Sequence, residues 1–295
     1  MILPWLGSLG GAIVIAAINR RRVARAVERQ YAVGHPTNTD GIVVGAEGFI
    51  LRSTPATDAR ALLLLHGSGD SPQSLRRLAD RLCMAGYTVH VPLLPGHGRS
   101  PRAFARATAD DYLAEARKGL EAARASARWV GVIGLSMGGA LAARITAEAT
   151  DVRVLVLLAP YLMTPRPVRL GARTRWLWSP FVKYLGGGGE ASVHDPAARA
   201  ASHAYGSFSA RALSALDRTA VAGRAALPVL STPTLVINSA QDNRIPRPFA
   251  EQVLTEISAP VESHWVTGCG HVITVDYCAD TVSDLVVAFL ARHAD

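Results

Sequence analysis

Residues Trp129 to Gly139 read WVGVIGLSMGG, an apolar run that ends at a glycine-flanked serine and passes into the small-residue stretch Met137 to Thr150. The run has the length and continuity of a strand buried on both faces, and the alanine-rich stretch after it reads as a helix. Gly134-Leu135-Ser136-Met137-Gly138 therefore stands at a strand-to-helix turn. A turn of this kind is strained, exposes the serine hydroxyl and brings the unpaired N–H groups of a helix N-terminus to the same place. Small residues on either side let it close. In this context Ser136 is a candidate nucleophile rather than a capping serine.

The same alternation extends in both directions. ALLLLHG (Ala61 to Gly67) is a second buried strand, followed by a helix-like stretch from Pro72 to Ala85. YTVHVPLL (Tyr87 to Leu94) precedes a helix over Thr108 to Ala127, whose Thr108 and Asp111 form a capping-box pattern. VRVLVLLAP (Val152 to Pro160), TLVINSA (Thr234 to Ala240) with helix Pro248 to Ile257, and ESHWVTG (Glu262 to Gly268) with helix Asp276 to Arg292 complete the series. Strands alternating with helices predict an α/β fold with a parallel sheet covered on both faces. GIVVGAEGFILR (Gly41 to Arg52) reads as a hairpin of two short strands. Residues 161–228 hold no strand candidate. Inserted at the carboxyl end of a strand, where α/β sheets bind their ligands, they are expected to form a helical cap over the site.

A serine hydroxyl is a weak nucleophile at neutral pH and needs a base, itself oriented by an acid. Of nine histidines, His271 alone is late in the chain, preceded by Gly268-Cys269-Gly270 and just past a strand. It is the candidate base. Asp242, just beyond TLVINSA, is the candidate acid and completes the chain order Ser, Asp, His. Its competitors, Asp276 and Asp280, read as the start of the last helix, where acidic side chains are favoured in any case. The amides of Met137 and Ser68 are the candidate oxyanion donors, one after the nucleophile and one after the strand that ends in His66-Gly67. His66 and His97 are expected to be structural.

The net charge of +8 raises the question of a nucleic acid or an anionic membrane as partner. The densest basic group, Arg20, Arg21, Arg22, Arg25 and Arg29, follows the uncharged segment Met1 to Asn19, which favours a membrane and not a nucleic acid. As a helix that segment reaches about 28 Å, just enough for a bilayer core. Residues 1–19 are thus a candidate membrane anchor and 20–40 a basic linker, ahead of a catalytic domain over 41–295. The positive-inside bias places that domain on the cytoplasmic side of the membrane, a cytoplasmic protein being the alternative. Between Tyr161 and Gly189 the basic residues Arg166, Arg169, Arg173, Arg175 and Lys183 interleave with aromatic ones and no acid, a second face suited to anionic lipid. Cys83, Cys269 and Cys278 are odd in number and lack metal-ligand spacing, so neither a disulfide framework nor a zinc site is expected, and a reducing compartment is.

The chain resembles the α/β-hydrolase superfamily, especially bacterial carboxylesterases and monoacylglycerol lipases. The resemblance rests on Leu65-His66-Gly67-Ser68-Gly69, Pro95-Gly96-His97-Gly98-Arg99-Ser100, Gly134-Leu135-Ser136-Met137-Gly138-Gly139, Asp242 with Ile245-Pro246, and Gly270-His271-Val272-Ile273. It covers about Gly41 to Asp295. It implies a mostly parallel sheet of eight strands, a lid inserted after the sixth, and acyl transfer to water with no metal or cofactor. The substrate expected is a carboxylic ester with lipid character, and a thioesterase, an amidase or peptidase, an acyltransferase, or a binding protein on the same fold are the alternatives.

Overall fold

The computed structural model describes residues 3–53, 60–186 and 189–294, with the backbone course alone for 3–15 and 189–190. The chain starts with helix α1 (Leu3–Gly34) and strand β1 (Phe49–Leu51). Strands and helices then alternate through β2 (Arg60–Leu65), α2 (Arg76–Met84), β3 (Thr88–Val91), the single-turn α3 (Pro101–Phe104), α4 (Ala109–Ser126), β4 (Trp129–Leu135), α5 (Met137–Ala147) and β5 (Val152–Leu158). An inserted region carries α6 (Arg166–Arg173), α7 (Arg175–Trp178), β6 (Tyr184–Gly186), α8 (Pro196–Ala200) and β7 (Ser207–Ser209). The main body resumes with α9 (Ala210–Ala226), β8 (Thr234–Ser239), α10 (Arg247–Glu256), β9 (Val261–Val266) and α11 (Ala279–Arg292).

Seven strands pair in the order β1-β3-β2-β4-β5-β8-β9, all parallel except β1. The central strands β2, β4, β5 and β8 are buried nearly end to end, which is why their sequences are continuously apolar rather than alternating. One face packs on α4, α5, α9 and α10 through residues such as Tyr112, Leu141, Leu216 and Val253. The other packs on α2 and α11 through Leu78, Leu82, Val286 and Leu290. The capping box forms as read: Asp111 N–H donates to Thr108 Oγ1, and Thr108 N–H donates to Asp111 Oδ2. β2 and β4 are neighbours, yet the chain leaves β2 toward β3 on one side and leaves β4 toward β5 on the other. Their following loops diverge and open a crevice at the carboxyl edge of the sheet.

Several expectations change. Between Gly41 and Arg52 one strand forms instead of two, because Gly41 and Gly45 adopt φ of +69° and +87° and turn the chain, leaving only a Thr37–Val43 bridge. The main sheet has seven strands among the described residues. The region after β5 is not purely helical: β6 and β7 form a small antiparallel sheet. Its last part belongs to the main body, since α9 lies so close to α5 that a Cβ at Gly223 would sit 2.5 Å from the Ala140 carbonyl oxygen. The lid proper is 161–209.

Residues 20–34, expected as a linker, continue α1. Their Ala, Arg, Glu and Gln content favours helix, and the helix docks on the lid. Arg20 Nε donates to Ser179 O at 3.0 Å, Glu28 accepts from Lys183 Nζ at 2.6 Å and Tyr184 Oη at 2.7 Å, and the Tyr31 hydroxyl donates to His203 O at 2.9 Å. These partners lie more than 150 residues away in sequence. The anchor expected over 1–19 falls largely outside what is described, residues 1–2 entirely and 3–15 in their side chains; among the described residues no helix is long and apolar enough to cross a membrane. Cys269 and Cys278 are joined in a disulfide, where no disulfide framework was expected, and Cys83 alone is free. The loop between them doubles back and brings their Cα atoms to 5.8 Å, a proximity that nine residues of spacing do not reveal. With the pair bonded, the thiols no longer argue for a reducing compartment.

Candidate active site

Ser136 follows the last residue of β4 and precedes the first of α5, with φ 54° and ψ −117°. Few non-glycine residues adopt such a backbone, and it persists because the surroundings over-determine it. Ser136 N–H donates to Leu158 O at 2.9 Å, and Ser136 O accepts from Gly139 N at 2.9 Å and Tyr161 N at 3.0 Å. The flanking glycines are required by close approach. A Cβ at Gly134 would stand 2.2 Å from Gly138 O, and one at Gly138 would stand 2.0 Å from Leu65 O.

His271 lies in the loop after β9 and Asp242 in the loop after β8, so adjacent strands deliver both side chains to the edge where Ser136 stands. His271 Nε2 is 2.8 Å from Ser136 Oγ, and His271 Nδ1 is 2.7 Å from Asp242 Oδ2. The second oxygen, Asp242 Oδ1, accepts the amides of Arg244 at 2.7 Å and Ile245 at 2.9 Å. Burial pushes the Asp242 carboxyl up, but the facing imidazole and these two amides outweigh it and hold the group below the usual carboxylate range. The carboxylate side chain is only 3% exposed and the imidazole 8%, so both work in a setting of low polarisability, where a fixed charge acts strongly. The arrangement can deprotonate the serine hydroxyl and steady the imidazolium that results.

Met137 is the first residue of α5, so its N–H has no intrahelical acceptor. Ser68 lies in the loop after β2, across the crevice, and Gly67 before it would place a Cβ 3.4 Å from Ser136 Cβ. Gly67 thus stands beside the serine, with Ser68 next to it in the chain. His66 is fully buried and fixed at both nitrogens: Nδ1 donates to Gly67 O at 2.9 Å and Nε2 accepts from Leu94 N at 3.1 Å. Burial drives its pKa down to about 4 against the opposing pull of the Gly67 carbonyl, so the ring is a neutral strut for the loop after β2. His97, also buried, meets His66 edge-on at 5.0 Å and packs against Phe104 and Tyr112.

The two rival acids are elsewhere. Asp280 pairs with Arg77 on the surface at 2.6 Å. Asp276 is buried and accepts four backbone amides: His194 and Gly270 on Oδ2 at 2.8 and 2.7 Å, Asp195 and Tyr277 on Oδ1, both at 2.9 Å. Burial raises its pKa, and the amides together more than reverse that and hold it below the usual range. Sequence reading also passed over Asp70, whose carboxyl is pushed up to about 6 by burial against the hydrogen bonds of Ser74 and of the Ser71 amide. Its only signal was a carboxylate in the glycine-rich turn after His66. Among the described residues no cluster of three or more His, Cys, Asp or Glu is placed to hold a metal ion.

The chain resembles known proteins over most of its length. The description "Alpha/beta hydrolase family" matches residues 62–285. A thermostable monoacylglycerol lipase of Bacillus sp. (strain H-257) is 28% identical over 254 residues, 86% of this chain and 97% of that protein. A carboxylesterase of Bacillus subtilis (strain 168) is 23% identical over 235 residues, 79% of this chain and 93% of that protein. The solved structure of a metagenome-derived lipolytic enzyme superposes with a TM-score of 0.78 at 26% identity, covering 85% of this chain and all of the other.

Proposed function

This chain belongs to the alpha/beta hydrolase family, and from that premise we propose that it hydrolyses carboxylic esters through an acyl-enzyme on Ser136. The observation that carries the reading is the unbroken relay from Ser136 Oγ to His271 to Asp242, at 2.8 and 2.7 Å. Ser136 Oγ attacks the ester carbonyl as His271 Nε2 takes its proton. Asp242 holds the imidazolium in place, and the amides of Ser68 and Met137 stabilise the oxyanion. His271 then protonates the leaving alcohol, and in the second half-reaction deprotonates the water that releases the acid.

Acylglycerols or other medium-chain acyl esters are the substrate class. Relatives named as a monoacylglycerol lipase and a carboxylesterase support this, as do the apolar side chains that the lid exposes at Trp176 (71%) and Phe181 (53%). The test is intact-mass spectrometry after a fluorophosphonate, comparing wild type with Ser136→Ala and His271→Ala. One adduct on wild type alone is expected, and its absence from folded wild type refutes the mechanism. Cleavage of short soluble esters with monoacylglycerols left untouched refutes the substrate class.

A further inference from the structure

Asp276 has no part in the chemistry just described, yet its surroundings are the most heavily hydrogen-bonded of any carboxylate around the site. Oδ2 joins Gly270 N, the residue before His271, to His194 N of the lid. Oδ1 joins Asp195 N of the lid to Tyr277 N. On the other side of the histidine, Val272 N donates to Ser192 O at 3.0 Å. The residues before and after His271 are thus both fastened to one lid segment, 192–195. That segment lies so close that a Cβ at Gly270 would stand 2.7 Å from the Ser192 carbonyl. It also reaches the acid loop, where Ser192 Oγ contacts Asn243 Oδ1 at 3.1 Å and accepts from Arg244 Nε at 2.9 Å. The loops bearing base and acid therefore share one abutment, and Asp276 is the charged group that ties it to the base.

Resting on the mechanism above, we propose that Asp276 is a positioning residue: it clamps the backbone beside His271 to the lid segment 192–195 and so sets the imidazole between Ser136 and Asp242. The physical reason is the tolerance of the relay. Proton transfer needs Nε2 within hydrogen-bond reach of Oγ while Nδ1 still faces Asp242, and misplacement by about 1 Å costs up to about 100-fold. A loop that begins with Gly268-Cys269-Gly270 does not hold a side chain to that tolerance unaided. Four amides converging on one ionised carboxylate do, because charge-assisted hydrogen bonds are the strong ones. The lid is then more than a cover: its return segment is part of the frame that aligns the base.

The test is Asp276→Asn, in which the amide NH2 faces backbone N–H groups it cannot accept from. Asp276→Ser is the second variant, and Asp280→Asn, altering a surface acid, the control. Three readouts are taken on folded protein: kcat and KM on a short p-nitrophenyl ester, the rate of fluorophosphonate labelling, and the downfield proton resonance of the His271–Asp242 hydrogen bond. Expected for Asp276→Asn are kcat and labelling rate lowered about 10- to 100-fold, KM changed less than about twofold, and the resonance lost or broadened; Asp280→Asn matches wild type. Activity and labelling within about twofold of wild type overturn the proposal. So does a loss that tracks only the folded fraction with the resonance intact, or failure of both Asp276 variants to fold, each of which makes the carboxylate a stability element. If wild type itself is not labelled, the proposed mechanism fails first, a result distinct from wild type and Asp276→Asn labelling equally.

Discussion

Acidification should destabilise this protein through His66 in a way that one substitution isolates. The ring is fully buried and its Nε2 accepts the Leu94 N–H at 3.1 Å. Protonation converts that acceptor into a donor facing a donor. With a pKa of about 4 in the folded chain against 6.5 as the ordinary value, the folded state resists a proton that the unfolded state accepts. The contribution of the neutral ring is complete above pH 6.5 and is lost as pH falls toward 4, by about 2 kcal/mol at pH 5 and about 3 kcal/mol at pH 4. His66→Gln offers Oε1 to the same N–H and does not titrate. His97, also lowered by burial, persists in both proteins. Urea unfolding followed by fluorescence of the five tryptophans, at pH 7.5 and pH 5, should show wild type losing about 2 kcal/mol more than the variant. An equal loss in both would refute the assignment of His66 as a neutral strut beneath the loop after β2.

Three further outcomes follow from the geometry. Asp242→Asn keeps an acceptor for the amides of Arg244 and Ile245 but loses the charge that steadies His271, so kcat on a p-nitrophenyl ester should fall about 10⁴-fold with little change in Tm; a loss below about tenfold would rule out the acid role. Gly138→Ala places a methyl 2.0 Å from Leu65 O and should cost about 3 kcal/mol, whereas Gly171→Ala, in open space within α6, should stabilise by up to about 1 kcal/mol; in calorimetric scans a raised Tm for the first or a lowered Tm for the second would contradict the respective reading. Replacing Cys269 and Cys278 together by serine reopens a short loop and should remove about 2.7 kcal/mol, a drop of about 4 °C in Tm. Alkylation of the denatured, unreduced protein should label Cys83 only, and labelling of all three cysteines would mean the bond does not form.

The sequence by itself determined the central strands of the sheet and the candidates for the reacting groups. Both are local signals. A strand buried on two faces must be continuously apolar, and a turn in which Gly138 meets Leu65 O must be glycine, so WVGVIGLSMGG and its fellow strands carry their roles on their face. Chain order and strand ends then left one late, glycine-preceded histidine and the aspartate just past the strand before it. Only the tertiary structure decided what depends on distant partners. Residues 20–34 look like a solvated basic linker until Glu28 meets Lys183 and Tyr184, and Tyr31 meets His203. Asp276 has the ordinary look of a helix start, and its four amides come from three places, residues 194–195, 270 and 277. Cys269 and Cys278 show no motif, because the fold of the loop between them, and not their spacing, brings the sulfurs together. Patterns of period and packing are written along the chain, whereas alignment of the base depends on a lid segment nearly eighty residues upstream that only folding brings beside it.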